Sequence, residues 1–240
     1  MRDYITVERV EKEIPFVKLT ITTKNVDSKN IEDLKRAFSP NDFCLNNLTS
    51  NIQIHSDIVN IVKEDSIGSK IEGDALVTNL KNVPLLVFTA DCVPVAIIDK
   101  DKKAIGVAHA GWRGTYEEIG RKTIEKMQSL YGSNPEDLVC VIGPSIGECC
   151  YQVSEDLYHD FKNRFKDSAD TLYSKIDKRI DKKYYLNLWN INKHSLESIG
   201  VKSENIINLN ICTNCNSDKF HSYRAHNKTA KRIGMILEIK

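Results

Sequence analysis

Apolar residues along this chain alternate with polar ones or run together in short blocks, and only a few stretches space them at helical intervals. Residues 4–10 and 15–23 read as strands, and residues 31–38 as a short helix. Residues 52–62 are extended and contain His55. Strands follow over 74–78, 84–89, 93–98 and 104–109, and the polar run Asp99-Lys-Asp-Lys-Lys103 predicts a hairpin between the last two. Over 115–131, Ile119, Ile124, Met127 and Leu130 recur among charges at amphipathic helical spacing, and Gly132 ends that helix. A strand over 138–142 precedes a helix over 154–165, with Ser154 as its cap ahead of Glu155 and Asp156. Residues 166–183 are charged and irregular and are assigned to the surface. A strand over 185–188, a helix over 190–199 and strands over 205–211 and 233–239 complete the chain.

Strands outnumber helices and come partly in hairpins, which favours a mixed sheet with helices outside over strict alternation. The fold class is therefore α+β (mixed α/β). No repeat, low-complexity tract or Pro/Gly/Ser-rich linker divides the chain, so residues 1–240 are expected to form one domain.

Composition narrows the function classes. Hydrophobic residues make up 41% and charged residues 28%, ordinary for a soluble globular protein. A net charge of +1 gives no reason to expect nucleic acid or an anionic membrane as partner, so any anion site must be local. The N-terminus lacks the apolar core of a signal peptide, and no stretch reaches the roughly 18 apolar residues of a membrane span. A cytoplasmic protein is expected, working as a monomer or weak homodimer. Its seven cysteines then read as thiols, ligands or nucleophiles rather than a disulfide framework, and the odd number agrees.

Two apolar segments carry reactive side chains that packing alone would not choose. Cys92 follows Asp91 in the block 83–98, and His109 sits in Ala108-His-Ala-Gly-Trp-Arg-Gly114. With His55 they offer two imidazoles and a thiolate, a set suited to zinc that leaves a fourth tetrahedral position open. The alternative is a buried Cys92–His109 pair with His55 on the surface, and spacing alone leaves both readings open. Cys212-Thr-Asn-Cys215 with Cys149-Cys150 could supply four thiolates for a structural zinc. Those cysteines could equally be small buried thiols, or Cys212 and Cys215 a redox pair following a strand.

Three further segments could hold an anion. Gly143-Pro-Ser-Ile-Gly147 makes a tight turn with backbone amides. Arg113 stands where a helix begins, and Arg224 lies in Phe220-His-Ser-Tyr-Arg224. The basic run 228–232 reads as a solvated turn. Arg113, Arg224 and Gln53 are the candidate substrate-binding residues. Cys92, His109 and Asp91 are the candidate catalytic ones, Asp91 as proton carrier because it directly precedes Cys92. No G-x-S-x-G, H-E-x-x-H, Walker or G-x-G-x-x-G motif is present.

With these residues identified, the chain resembles the YfiH-type family. Its members were long labelled laccase-domain or multicopper polyphenol oxidase proteins and are now associated with purine nucleoside phosphorylase activity. The matching strings are Gln53-Ile-His55, Gly73-Asp-Ala-Leu-Val-Thr78, Thr89-Ala-Asp-Cys-Val-Pro94 and Val107-Ala-His-Ala-Gly-Trp-Arg-Gly114. Ile142-Gly-Pro-Ser-Ile-Gly147, Cys150-Tyr-Gln-Val153, Cys212-Thr213 and Ser222-Tyr-Arg224 continue in the family order. The resemblance implies that His55, Cys92 and His109 are zinc ligands. It also implies a four-layer α/β/β/α sandwich of the CNF/YfiH-like type, shared with a bacterial toxin that uses a Cys-His pair for deamidation. Cys150 and Cys215 have no ligand role by this comparison. The family's Ser-Thr-Arg-x-Gly-Gly-Val-Ser motif is altered: the region reads Thr22-Thr-Lys-Asn-Val-Asp-Ser28, with Lys24 where the arginine would be. Ala225 and His226 replace its usual Arg-Asp pair.

The resulting expectation is a zinc-dependent enzyme acting on a purine nucleoside with phosphate, with adenosine deamination as a companion activity. A Cys92–His109 amidohydrolase is the alternative. Laccase chemistry would need about ten histidines, whereas this chain has six, dispersed; copper then enters only as an adventitious substitute for zinc.

Overall fold

The structure is a computed structural model describing residues 2–39, 41–165 and 183–240. Most of the charged segment 166–183 lies outside the described residues.

Two six-stranded sheets dominate. The first contains β1 (Tyr4–Thr6), β2 (Val17–Thr22), β3 (Thr49–Ile52), β5 (Lys70–Glu72), β7 (Leu85–Thr89) and β14 (Ile233–Ile239), in the order β1-β2-β14-β7-β3-β5. The second contains β4 (Val59–Ile61), β6 (Ala75–Thr78), β8 (Val93–Asp99), β9 (Ala104–Ala110), β10 (Leu138–Ile142) and β13 (Ile206–Asn208), ordered β13-β10-β8-β9-β6-β4. A small pair joins β11 (Gln152–Val153) to β12 (Tyr184–Tyr185). Every residue of β8 and β9 is buried, as befits central strands covered on both faces. Their hairpin pairs Asp99 with Ala104, as the polar run between them predicts.

Alternation along the strands assigns the layers. Met235, Leu237 and Ile239 of β14 meet Ala96 and Ile98 of β8 in the core between the sheets. Ile236 points the other way, toward Leu34 of α2 (Ile31–Ala37), Phe38 and Phe43. On the outer face of the second sheet, Val93, Val95 and Ile97 pack against α4 (Ile119–Tyr131), α5 (Glu155–Arg164) and α6 (Leu188–Ser198). The result is the expected four-layer α/β/β/α arrangement.

Several element boundaries differ from the sequence expectation. Residues 8–13 form α1 (Glu8–Glu13) instead of continuing a strand. Val7, Val10 and Ile14 are the buried positions there, a helical i, i+3, i+7 spacing. The helix expected over 115–131 is two, α3 (Trp112–Tyr116) and α4, broken at Glu118 in the left-handed region with φ 57°. Glu118 accepts a hydrogen bond from Ser195 Oγ at 3.0 Å, and no glycine or proline marks the break. Leu188 begins a helix capped by Asn187 rather than ending a strand. Ser154 and Gly132 cap their helices as expected.

The stretch 52–62 is divided between β3 and β4, and these strands belong to different sheets. The chain passes between the sheets three times in the same way, from β3 to β4, from β5 to β6 and from β7 to β8. Because β3, β5 and β7 run parallel, all three passages leave from one end of the sandwich. Each contains a residue with positive φ: His55 at 60°, Gly73 at 144° and Asp91 at 87°.

Burial at that end also creates an acid-sensitive group. His221 is 7% exposed, and its Nε2 has no hydrogen-bond partner among the described residues. Burial pushes its pKa from 6.5 down to about 4, against the pull of Asp27 and with help from Lys231, His226 and Lys24. The unfolded chain therefore binds a proton between those values that the folded chain does not. Stability from this residue is complete above about pH 6.5 and falls as the pH drops toward 4. His221→Phe is expected to remove about 2 kcal/mol of the stability lost between pH 7 and 5, measured by urea unfolding. Equal losses in both proteins would refute the assignment.

Candidate metal centre and active site

The passages between the sheets bring the candidate ligands together. His55 lies in the first, Cys92 ends the third just before β8, and His109 sits near the end of β9 opposite Pro94. One ligand atom from each of His55, Cys92 and His109 falls within 4.8 Å of the other two. The imidazoles of His55 and His109 meet edge to face with centroids 4.9 Å apart. His109 is buried, Cys92 half-buried and His55 exposed, so the cluster opens toward solvent on one side.

Asp74 organises this cluster, a role the sequence did not reveal. Its carboxylate is fully buried in the second passage. Oδ1 accepts from His109 Nδ1 at 2.8 Å and from the His55 amide at 3.1 Å. Oδ2 accepts from the Ser56 amide and hydroxyl, both at 2.7 Å, and from the Ile54 amide at 3.2 Å. Burial pushes this carboxyl upward, but the His109 and Ser56 donors outweigh it and hold the pKa at about 2. An ionised Asp74 keeps the His109 proton on Nδ1 and leaves Nε2 for the cluster, the usual support for a metal-binding imidazole.

Charge in the cluster favours a thiolate. Burial opposes ionisation of Cys92, but His109 and then His55 draw its pKa down to about 6. Burial likewise opposes the charged form of His109, while the Cys92 thiolate and Asp74 raise its pKa to about 9. The pair has the chemistry of a metal-ready ligand set or of a nucleophile with its base.

Gly111 explains why the His-Ala-Gly string needs glycine. A Cβ there would lie 3.1 Å from His55 Cδ2 and 3.2 Å from Cys92 Sγ. Its own φ of −62° suits any residue, so the restriction is purely steric. Gly111→Ala is expected to fold normally yet weaken metal binding by about 10–100-fold, the scale for disturbing groups that orient ligands. Zinc competition titration checks this; wild-type affinity would refute it.

The cluster opens into a cavity of about 780 Å³. Phe88, Trp112, Tyr151 and Tyr223 supply aromatic walls, and Lys29, Lys70, Arg224 and Arg232 bring cations. Arg224 lines this cavity, stacking over Tyr151 at 5.3 Å and donating to Gln152 O at 3.1 Å. The guanidinium of Arg113 lies over Trp112 at 4.4 Å and lines an adjoining groove with Ser56, Asp57 and Glu117, which meets the main cavity at His55 and Trp112. The short helix α3 places it on the far side of Trp112 from the main cavity, so it does not line that cavity itself. The run 228–232 is mostly the exposed turn expected, and its last residue, Arg232, also lines the cavity. Lys24 does not line the cavity, and its Nζ donates to Ser217 O at 3.0 Å.

Gln53 lines the cavity, but its amide is held by the Phe88 main chain, with Phe88 N to Oε1 at 2.7 Å and Nε2 to Phe88 O at 2.9 Å. Asp91 is 7% exposed and accepts from Thr213 Oγ1 and from the Arg224 amide, both at 2.7 Å. The turn Gly143–Gly147 is no anion cradle. The amides of Gly143, Ser145 and Ile146 are taken by Pro94, Ile211 and Asp91 carbonyls, and that of Gly147 by Cys212 Sγ.

Comparison with other proteins extends this picture. The family model described as multi-copper polyphenol oxidoreductase laccase matches residues 13–239. The chain belongs to that family. Among relatives of this laccase-like family, a purine nucleoside phosphorylase of Clostridium acetobutylicum is 39% identical over 188 residues, covering 75% of this chain and 72% of its own. Purine nucleoside phosphorylase YlmD of Bacillus subtilis is 38% identical over 164 residues, but the match covers only 58% of its length. Adenosine deaminase RL5, from an unknown prokaryotic organism, is 31% identical over 188 residues, covering 75% of this chain and 70% of its own. The crystal structure of the hypothetical protein YfiH of Bacillus licheniformis superimposes with a TM-score of 0.90 at 25% identity, covering 100% of this chain and 97% of that one. Among the described residues no helix is long and apolar enough to cross a membrane.

Proposed function

We propose that this protein is a zinc-dependent purine nucleoside enzyme. It cleaves the nucleoside with phosphate to give the free base and ribose-1-phosphate, and it deaminates adenosine to inosine. One observation carries the reading: a cluster of two imidazoles and one thiolate, oriented by a buried carboxylate, opens into a cavity lined by aromatic rings and cations. The cavity volume falls within the usual range for small-molecule sites, and the names of the relatives point to the same two reactions.

His55, Cys92 and His109 would hold the metal, and their donor set fits zinc with one position open. Bound there, zinc supplies Lewis acidity and an activated water. Copper, higher in the affinity order, would enter the same donors in vitro. The aromatic walls at Phe88, Tyr151 and Tyr223 can stack on a base. Arg224, joined by Lys29 and Arg232 from the cavity lining, can hold the phosphate anion. Gln53 braces β7 beneath the pocket. Asp91 fixes the loops carrying Thr213 and Arg224, and each of its oxygens keeps a lone pair for a proton. Residues 1–240 act as one domain, in the cytoplasm, as a monomer or weak homodimer.

The test is chromatography of adenosine and inosine incubated with purified protein, with and without phosphate. Phosphate-dependent release of adenine or hypoxanthine with ribose-1-phosphate is expected, together with inosine from adenosine. Absence of all of these products from zinc-loaded protein would overturn the reading.

A second reading, a Cys92–His109 amidohydrolase, is favoured by the lowered Cys92 and raised His109 pKa values. Thiol alkylation separates the two. A zinc ligand is protected until a chelator strips the metal, whereas a free nucleophile reacts at once.

A further inference from the structure

We infer that Cys149, Cys150, Cys212 and Cys215 form a second, structural metal site that binds one zinc ion through four thiolates. Their sulfur atoms all lie within 4.8 Å of one another. Cys215 Sγ is 3.5 Å from Cys149 Sγ and 3.4 Å from Cys150 Sγ. Zinc–sulfur bonds of about 2.3 Å in a tetrahedron place the sulfurs about 3.8 Å apart. A disulfide needs about 2.05 Å. The observed spacing is close to the former and far from the latter.

Packing does not account for the cluster. Cys149 and Cys215 are exposed and Cys150 is half-buried, so these thiols do not fill a core as Cys140 does. Sulfur-to-sulfur contact between neutral thiols offers only weak hydrogen bonds. The four come from two separate loops, one after β10 and one after β13, which the fold holds in register. Thr213 N bonds Ser145 O at 3.0 Å and Ser145 N bonds Ile211 O at 3.1 Å. Cys212, the buried member, accepts from the Gly147 amide at 3.3 Å, and the turn after it is closed by Asn216 N to Cys212 O at 3.0 Å. Backbone donation to a sulfur suits a metal-bound thiolate. Adjacent cysteines look unsuited to zinc in the sequence because spacing is judged within one loop. Here the second loop supplies the other half of the tetrahedron.

With four protein ligands the coordination is closed, so the ion is structural. Binding releases the thiol protons and leaves a site of charge −2 around one Zn²⁺. The clamp reaches the cavity from two directions. Thr213, between two of the thiols, donates to Asp91 beside Cys92, and Tyr151 follows Cys150 into the cavity wall.

The full chain, purified under reducing conditions from zinc-supplemented medium, should contain two zinc ions by elemental analysis. Cys149→Ser and Cys215→Ser should each lower this to one, and His55→Ala should remove only the other. Cobalt substitution provides a readout that requires no folded cysteine variant. His55→Ala should retain the intense sulfur-to-cobalt charge-transfer bands of a tetrathiolate site. Zinc content unchanged in Cys215→Ser would overturn the proposal. So would absence of those bands in reduced, cobalt-titrated His55→Ala, or a disulfide joining Cys215 to Cys149 or Cys150 in protein alkylated at lysis.

Discussion

Asp74→Ala is expected to destabilise the protein by about 3–5 kcal/mol and to empty the His55–Cys92–His109 site. The carboxylate is fully buried, and five donors converge on it from Ile54, His55, Ser56 and His109. Truncation leaves buried amides without partners and frees the His109 ring to change tautomer or turn. It also releases the loop that holds His55 at its positive φ. Asp74→Asn should fall between the two proteins, since one oxygen survives and can serve either the His109 side or the Ser56 side but not both. Urea unfolding with parallel zinc analysis provides the measurement. An alanine variant within about 1 kcal/mol of wild type and still fully loaded would show that the hydrogen bonds are incidental.

His55→Ala is expected to lower turnover by about a thousandfold while leaving the fold intact. On the zinc-enzyme reading, removing one of three ligands would sacrifice several kcal/mol of transition-state stabilisation that the metal would supply. The residue is exposed and lies outside the core, so the stability effect should be small. This variant discriminates between the two functional readings more sharply than Cys92→Ala, which disables both. A cysteine nucleophile needs only His109 as its base and Asp74 as orienter, so an amidohydrolase would survive loss of His55 with less than about a tenfold change. Steady-state rates measured beside zinc content separate these outcomes. Retention of both activity and metal would remove His55 from the ligand set.

Much of the sandwich was legible as pattern because its central strands are buried on both faces. The β8–β9 hairpin and the terminal strand Ile233–Ile239 stand out as apolar blocks bounded by polar turns. The first helix was hidden because Val7, Val10 and Ile14 satisfy helical spacing while the neighbouring residues still permit a strand. The break at Glu118 was hidden because a hydrogen bond from Ser195, far along the chain, stabilises an unusual backbone angle at an ordinary residue.

At the site, residue chemistry alone groups His55 with Cys92 and His109 but leaves a buried Cys–His pair equally open, and the family resemblance favours the three-ligand set. Asp74 was visible as part of a recurring string, but nothing local shows which amides a buried carboxylate will gather. Lys29 and Arg232 reach the cavity from surface-like segments, and one short turn of helix decides that Arg113 faces the adjoining groove. In each case the deciding contact is tertiary.

Two of the candidate ligands, His55 and Cys92, sit where the chain steps from one sheet to the other, while His109 projects from β9 of the second sheet, so sliding the two halves of the sandwich past each other would disturb the alignment of the donor atoms. An ion held there would work as a rivet, tying the crossing segments to the second sheet. Occupancy of the centre would then be coupled to the alignment of the two layers.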